Sequence, residues 1–84
     1  ISPVAPVHIL LIPREPIPGL AHATEGHSSL LGYLMFMAAE IARGAGLDET
    51  GYRVVVNNGA DAGQTVPHLH IHIIGGRSLQ WPPG

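Results

Sequence analysis

The chain reads as an α+β domain, an antiparallel sheet with one long helix packed on it. Three observations predict this. Segments with strand character lie at 7–12, 52–56 and 68–74, and one long segment, 30–45, carries apolar residues at helical spacing. These segments follow in the order strand, helix, strand, loop, strand. The 84 residues suit a single domain, and neither a repeat nor a linker divides them.

The first strand, VHILLI at 7–12, is bounded by prolines and interrupted by one polar residue, His8. Residues 14–27 carry prolines at 16 and 18 and glycines at 19 and 26, which predicts a loop. Ser28 or Ser29 is placed to cap the next element. Leu30, Leu34, Met37, Ala38, Ile41 and Ala45 then recur at helical spacing, with Leu31, Met35 and Ala42 widening the stripe. Gly44 and Gly46 end the helix. A helix this apolar calls for two neighbours, its own sheet and a second subunit. YRVVV, 52–56, is a β-branched strand, and the loop NNGADAGQTVP joins it to the last strand. Two strands joined this way pair antiparallel. Tyr33 and Tyr52 are expected in the core. The tail GGRSLQWPPG is too rich in glycine and proline for regular structure.

Composition narrows the function classes. Hydrophobic residues make up 45% of the chain and charged residues 12%, too apolar a balance for a disordered chain. There is no lysine, and the four arginines (14, 43, 53 and 77) are scattered. That pattern offers no footprint for a nucleic-acid backbone. Without cysteine, disulfides and thiolate zinc sites are excluded. No apolar run reaches membrane-spanning length and no leader is visible, so a cytoplasmic chain is expected. It starts at Ile1 rather than methionine, and its natural N-terminus is expected upstream.

Residues 67–74 read PHLHIHII. On a strand His68, His70 and His72 share one face, roughly 6.5–7 Å apart, while Leu69, Ile71 and Ile73 share the other. One reading is a half-exposed polar face without a task. A second is zinc, with imidazoles at i, i+2 in two tetrahedral positions and Asp61 as a further ligand. The third is phosphorus chemistry, in which one imidazole attacks and its neighbours handle protons. Such a site needs donors around the phosphoryl oxygens. The loop from Asn57 to Pro67 offers them: Gly59 and Gly63 let the backbone approach closely, and Gln64 and Thr65 add side-chain donors.

HLHIHII resembles the His-φ-His-φ-His-φ-φ signature (φ apolar) of the histidine triad superfamily. ISPVAPVHILLIP, NNGADAGQTVPHLHIHIIGGR and the closing WPPG are similar to its nucleoside phosphoramidase branch of homodimeric purine nucleotide-binding proteins. The likeness covers nearly the whole chain. It implies the HIT-like fold, preceded in relatives by a further segment with an acidic residue for the ribose hydroxyls. It implies hydrolysis of adenosine 5′-phosphoramidates to AMP and an amine, with no metal or cofactor. By this resemblance His70 is the nucleophile, and His68 and His72 orient it and handle protons. His8 matches a further histidine near the triad. Asn57, Gly63, Gln64 and Thr65 match the phosphate-binding loop. Ile1 matches a residue packing on the nucleoside, and Trp81 one shaping the leaving-group pocket. Non-catalytic nucleotide binding or scaffolding, and dinucleoside polyphosphate hydrolysis, are the alternatives. Pro67 departs from the relatives' pattern; lacking an amide donor, it fits only a strand start or an edge.

Overall fold

A computed structural model describes residues 5–84. Its regular elements are strand β1 (Val7–Leu11), helix α1 (Ser28–Gly44), strand β2 (Tyr52–Val55) and strand β3 (Ile71–Gly75). The sheet order is β1-β3-β2, and both pairings are antiparallel. The expected α+β architecture is therefore present, with the histidine-bearing strand at its centre.

Register assigns the faces. Ile73 lies between Ile9 and Val54, and Ile71 pairs with Leu11, so these side chains meet the helix. His72 lies between Leu10 and Val55, and Ile74 between His8 and Arg53, on the opposite, open face. The helix buries a single stripe, Leu34, Ala38 and Ala42, at i, i+4, i+8. Two alanines in that stripe let the helix approach β3 closely, and Ile73 packs with them and Leu47 with no exposed surface. A second cluster joins Ile17, Leu34, Leu69 and Ile71.

Several boundaries differ from the sequence reading. The helix starts at Ser28, and neither serine caps it. A 3-10 turn at Glu25–His27 runs straight into it, so Ser28 is already helical and its hydroxyl donates to the Glu25 carbonyl at 2.7 Å. At the far end Gly46 (φ 75°) reverses the chain. The Leu47 amide then bonds Ala42 O at 2.9 Å and the Gly46 amide bonds Arg43 O at 3.1 Å, a paired closure that only a left-handed residue permits.

The strand expected at 68–74 begins only at Ile71. Pro67 has no amide for a ladder, residues 66–68 bend, and the Leu69 amide bonds Ile17 O instead, at 2.6 Å. Tyr33 and Tyr52, expected in the core, are exposed by 59% and 36%. Three strands cover only one stripe of the helix, which leaves Tyr33, Met35 and Phe36 facing outward. Among the described residues, no helix is long and apolar enough to cross a membrane.

Candidate active site

The open face of the sheet gathers three imidazoles. His72 on β3 and His8 on β1 are diagonal neighbours, since His8 pairs with Ile74. Their rings meet through His8 Nε2 and His72 Nδ1 at 2.8 Å. The His70 ring lies 4.9 Å from that of His72, edge to face. His8, His72 and His70 thus form one row, although His70 precedes the strand proper. His68 stands apart, its Nε2 donating to the Pro13 carbonyl at 3.1 Å. That bond ties the triad's approach to the exit of β1.

The tautomer of His70 follows from its partner. Its Nδ1 lies 2.8 Å from the His68 carbonyl oxygen, which can only accept. Nδ1 therefore carries the proton, and Nε2 presents a lone pair. The same carbonyl would stabilise the positive charge that the ring acquires once Nε2 has bonded an electrophile.

His72 has a lowered pKa. Burial disfavours its charged form first, and the neighbouring His70 and His8 add electrostatic opposition. Its ring signals should therefore titrate with a midpoint below 6.5, as read by NMR. The unfolded chain then binds the proton more readily than the folded one. Stability is complete above the ordinary imidazole value and falls as pH drops through the window between the two values. His72→Gln should flatten that dependence, whereas a midpoint at or above 6.5 would contradict this packing.

The glycine-rich loop is built as a braced ring. Gly59 and Gly63 take positive φ, 86° and 82°, on either side of a 3-10 turn at Ala60–Ala62. Gln64, expected to donate to a phosphoryl group, has a different task here. Its Oε1 accepts from the Gly59 amide at 2.8 Å, while Nε2 donates to Pro18 O at 2.8 Å and Val66 O at 3.0 Å. Both its amide protons are engaged, so it shapes the loop and pins it to the segment before the helix. Asn58 adds a second pin, its Oδ1 accepting from the Ala21 amide at 2.9 Å. Gly19 sits between these pins, and a Cβ there would come within 2.7 Å of Asn58 Oδ1. Its φ of −178° is ordinary extended backbone, so the position needs glycine for space alone.

Beside this ring, a cavity of about 220 Å³ is lined by Pro18, His22, Asn58, Gly59, Gln64, Thr65 and Pro67. Thr65 is the exposed hydroxyl donor there. Asn57 lies half-buried just beyond the end of β2, and Asp61 is exposed on the turn. Trp81 is 79% exposed, with the Arg53 guanidinium 6.0 Å from its ring centre. Ile1 lies outside the described residues. Sequence reasoning passed over Asn58, Gly19 and Arg53. Asn58 adjoins Asn57 and has no distinguishing pattern, and a glycine after Pro18 reads as a turn whatever its reason.

His8 and His72 turn ring nitrogens toward each other, and His70 and His68 each give one nitrogen to a carbonyl. Among the described residues, no group of three or more His, Cys, Asp or Glu side chains is arranged to hold an ion.

The chain is similar to known proteins along nearly its whole length. A family model described as "HIT domain" matches residues 1–79. An uncharacterized HIT-like protein of Synechococcus elongatus is 57% identical over 84 residues, covering 100% of this chain and 73% of that protein. A Zea mays protein named "14 kDa zinc-binding protein" is 49% identical over 86 residues, covering 100% of this chain and 66% of its own length. The crystal structure of a HIT family hydrolase from Legionella pneumophila superposes with a TM-score of 0.95 at 41% identity, covering 98% of this chain and 73% of that one.

Proposed function

The chain belongs to the HIT domain family, and from that premise we propose that it hydrolyses the P–N bond of purine nucleoside 5′-phosphoramidates through a nucleotidyl-histidine. The observation that carries this reading is the orientation of His70, with Nδ1–H on the His68 carbonyl and Nε2 left as a lone pair in a row of imidazoles. Similarity to a HIT family hydrolase supports hydrolysis as the reaction class.

In the proposed reaction, His70 Nε2 attacks the α-phosphorus and a P–Nε2 bond forms as the P–N bond breaks. The electron pair leaves with the amine, which takes a proton delivered through the His72–His8 pair. The His68 carbonyl steadies the imidazolium. Water then attacks phosphorus and gives a proton back to the His72–His8 pair, the P–Nε2 bond breaks, and AMP departs. Phosphoryl charge is met by Thr65, by the loop that Gln64 holds closed, and by the adjacent imidazoles. Zinc is the property named for the maize relative. Among the described residues no three metal-binding side chains are grouped to hold an ion, and the proposed steps run through the chain's own imidazoles.

We further propose a homodimer. Tyr33, Met35 and Phe36 stand outward on one helix, an apolar surface suited to a second copy. Adenine nucleotide substrates make the cytoplasm the proposed site of action.

The test is AMP release from adenosine 5′-phosphoramidate with a chelator present. Release, with an adenylyl adduct on His70 trapped by alkaline denaturation, is the expected result. A chain that binds AMP yet releases none, even when extended upstream, would be a binding module and this reading would fall.

A further inference from the structure

We propose that His27 is a positioning residue for the reaction: its hydrogen bond to Glu15 holds the proline-rich segment 13–18 in place, and that segment sets the histidine segment and the braced loop. The inference rests on the phosphoramidate reading for its kinetics and on the chain's own hydrogen bonds for its geometry.

Segment 13–18 reads PREPIP and runs like a rail beside the site. Its carbonyls receive donors from residues 64, 68 and 69. Pro13 O accepts from His68 Nε2 at 3.1 Å, Ile17 O from the Leu69 amide at 2.6 Å, and Pro18 O from Gln64 Nε2 at 2.8 Å. Prolines at 13, 16 and 18 fix φ, and the Ile17 amide bonds Glu15 O at 3.0 Å, so the segment is stiff. A shift at Glu15 is therefore passed on to these acceptors rather than absorbed. His70 moves with them, because its Nδ1 bonds the His68 carbonyl at 2.8 Å.

Glu15 is tied in turn to the 3-10 turn that opens helix α1. His27 Nδ1 accepts from the Thr24 amide at 2.9 Å, so the ring proton sits on Nε2, which donates to Glu15 Oε2 at 2.6 Å. With both nitrogens committed and the side chain only 20% exposed, the imidazole is a fixed strut rather than a swinging surface group. Residues 24–27, TEGH, form a capping box with histidine where Glu or Gln commonly stands. The cap needs only an acceptor at residue 27. The donor aimed at Glu15 is what histidine adds to a capping Glu.

The experiment follows AMP release, melting temperature and exchange of the Leu69 amide in Glu15→Ala, Glu15→Gln and His27→Glu. Glu15→Ala removes the tie and leaves the Thr24 cap, whereas His27→Glu keeps a capping acceptor and sets carboxylate against carboxylate. Each should lower kcat about tenfold with KM changed far less, because misplaced supports act on the transition state more than on binding. Leu69 exchange should rise about fivefold, the scale of one solvent-accessible ion pair, with little change in melting temperature. Glu15→Gln keeps an acceptor for Nε2–H and should retain most of kcat. Glu40→Ala, which breaks the exposed Arg43–Glu40 pair, should change neither kcat nor Leu69 exchange. Glu15→Ala and His27→Glu reach the same bond from its two sides, so if one fails to fold the other carries the test. Unchanged kcat or unchanged Leu69 exchange in a folded variant overturns the proposal. So does a kcat loss that Glu15→Gln shares in full, which would make charge rather than placement the cause, or one that Glu40→Ala reproduces. Absence of release from every substrate removes the phosphoramidate reading by itself, and Leu69 exchange then still upholds or overturns the strut.

Discussion

His70→Ala is expected to lower AMP release from adenosine 5′-phosphoramidate by about a thousandfold or more, with melting temperature and AMP affinity little changed. The size follows from the role: without Nε2 no covalent intermediate forms, and water must meet phosphorus directly. The specificity of the loss follows from the surroundings. The His70 side chain is only partly buried, and among the described residues its hydrogen bond runs to a carbonyl two residues away. Removing it leaves the sheet register and the braced loop in place. The adenylyl adduct should vanish together with turnover. Turnover near that of the unmodified chain would place the nucleophile elsewhere.

Ile73→Ala is expected to cost about 2–5 kcal/mol of stability, the range for truncating a fully enclosed aliphatic side chain. A domain of this size holds about 5–15 kcal/mol in all, so the variant stands near its limit. Ile73 lies directly between Ile9 and Val54 on the strand and over Ala38 and Ala42 on the helix. Leu10, on the opposite face and 53% exposed, is the contrast: Leu10→Ala should stay within about 0.5 kcal/mol. Urea titrations of the two variants read the difference. A larger loss for Leu10→Ala would mean that the faces of the sheet have been assigned the wrong way round.

The two-faced character of β3 was legible in the alternation of PHLHIHII, because a period of two is a direct consequence of strand geometry. The helix was legible for the same reason, through its own period. The start of β3 was not. Pro67 was known to lack a donor, yet nothing in the sequence says that Leu69 would pair with Ile17 instead. Gln64 was read as a ligand donor because an amide looks the same whether it faces a substrate or the chain's own carbonyls; only the partners at Pro18 and Val66 decide. The His8–His72 contact joins residues 64 apart in the chain, and only the resemblance pointed to it. Tyr33 was misplaced because the count of strands, not the helix sequence, sets how much of a helix is covered.

The strand order carries a consequence for biosynthesis. Among the described residues, β1 and β2 each pair with β3 alone, the last of the three to be made. While the chain emerges from a ribosome, about sixty residues pass before the central strand arrives, and until then neither outer strand has a partner. The sheet therefore cannot assemble progressively; it closes in one event when the histidine segment slots between its neighbours. Nascent chains stalled upstream of Ile71 would expose VHILL and YRVV as unpaired strands, open to association with other chains.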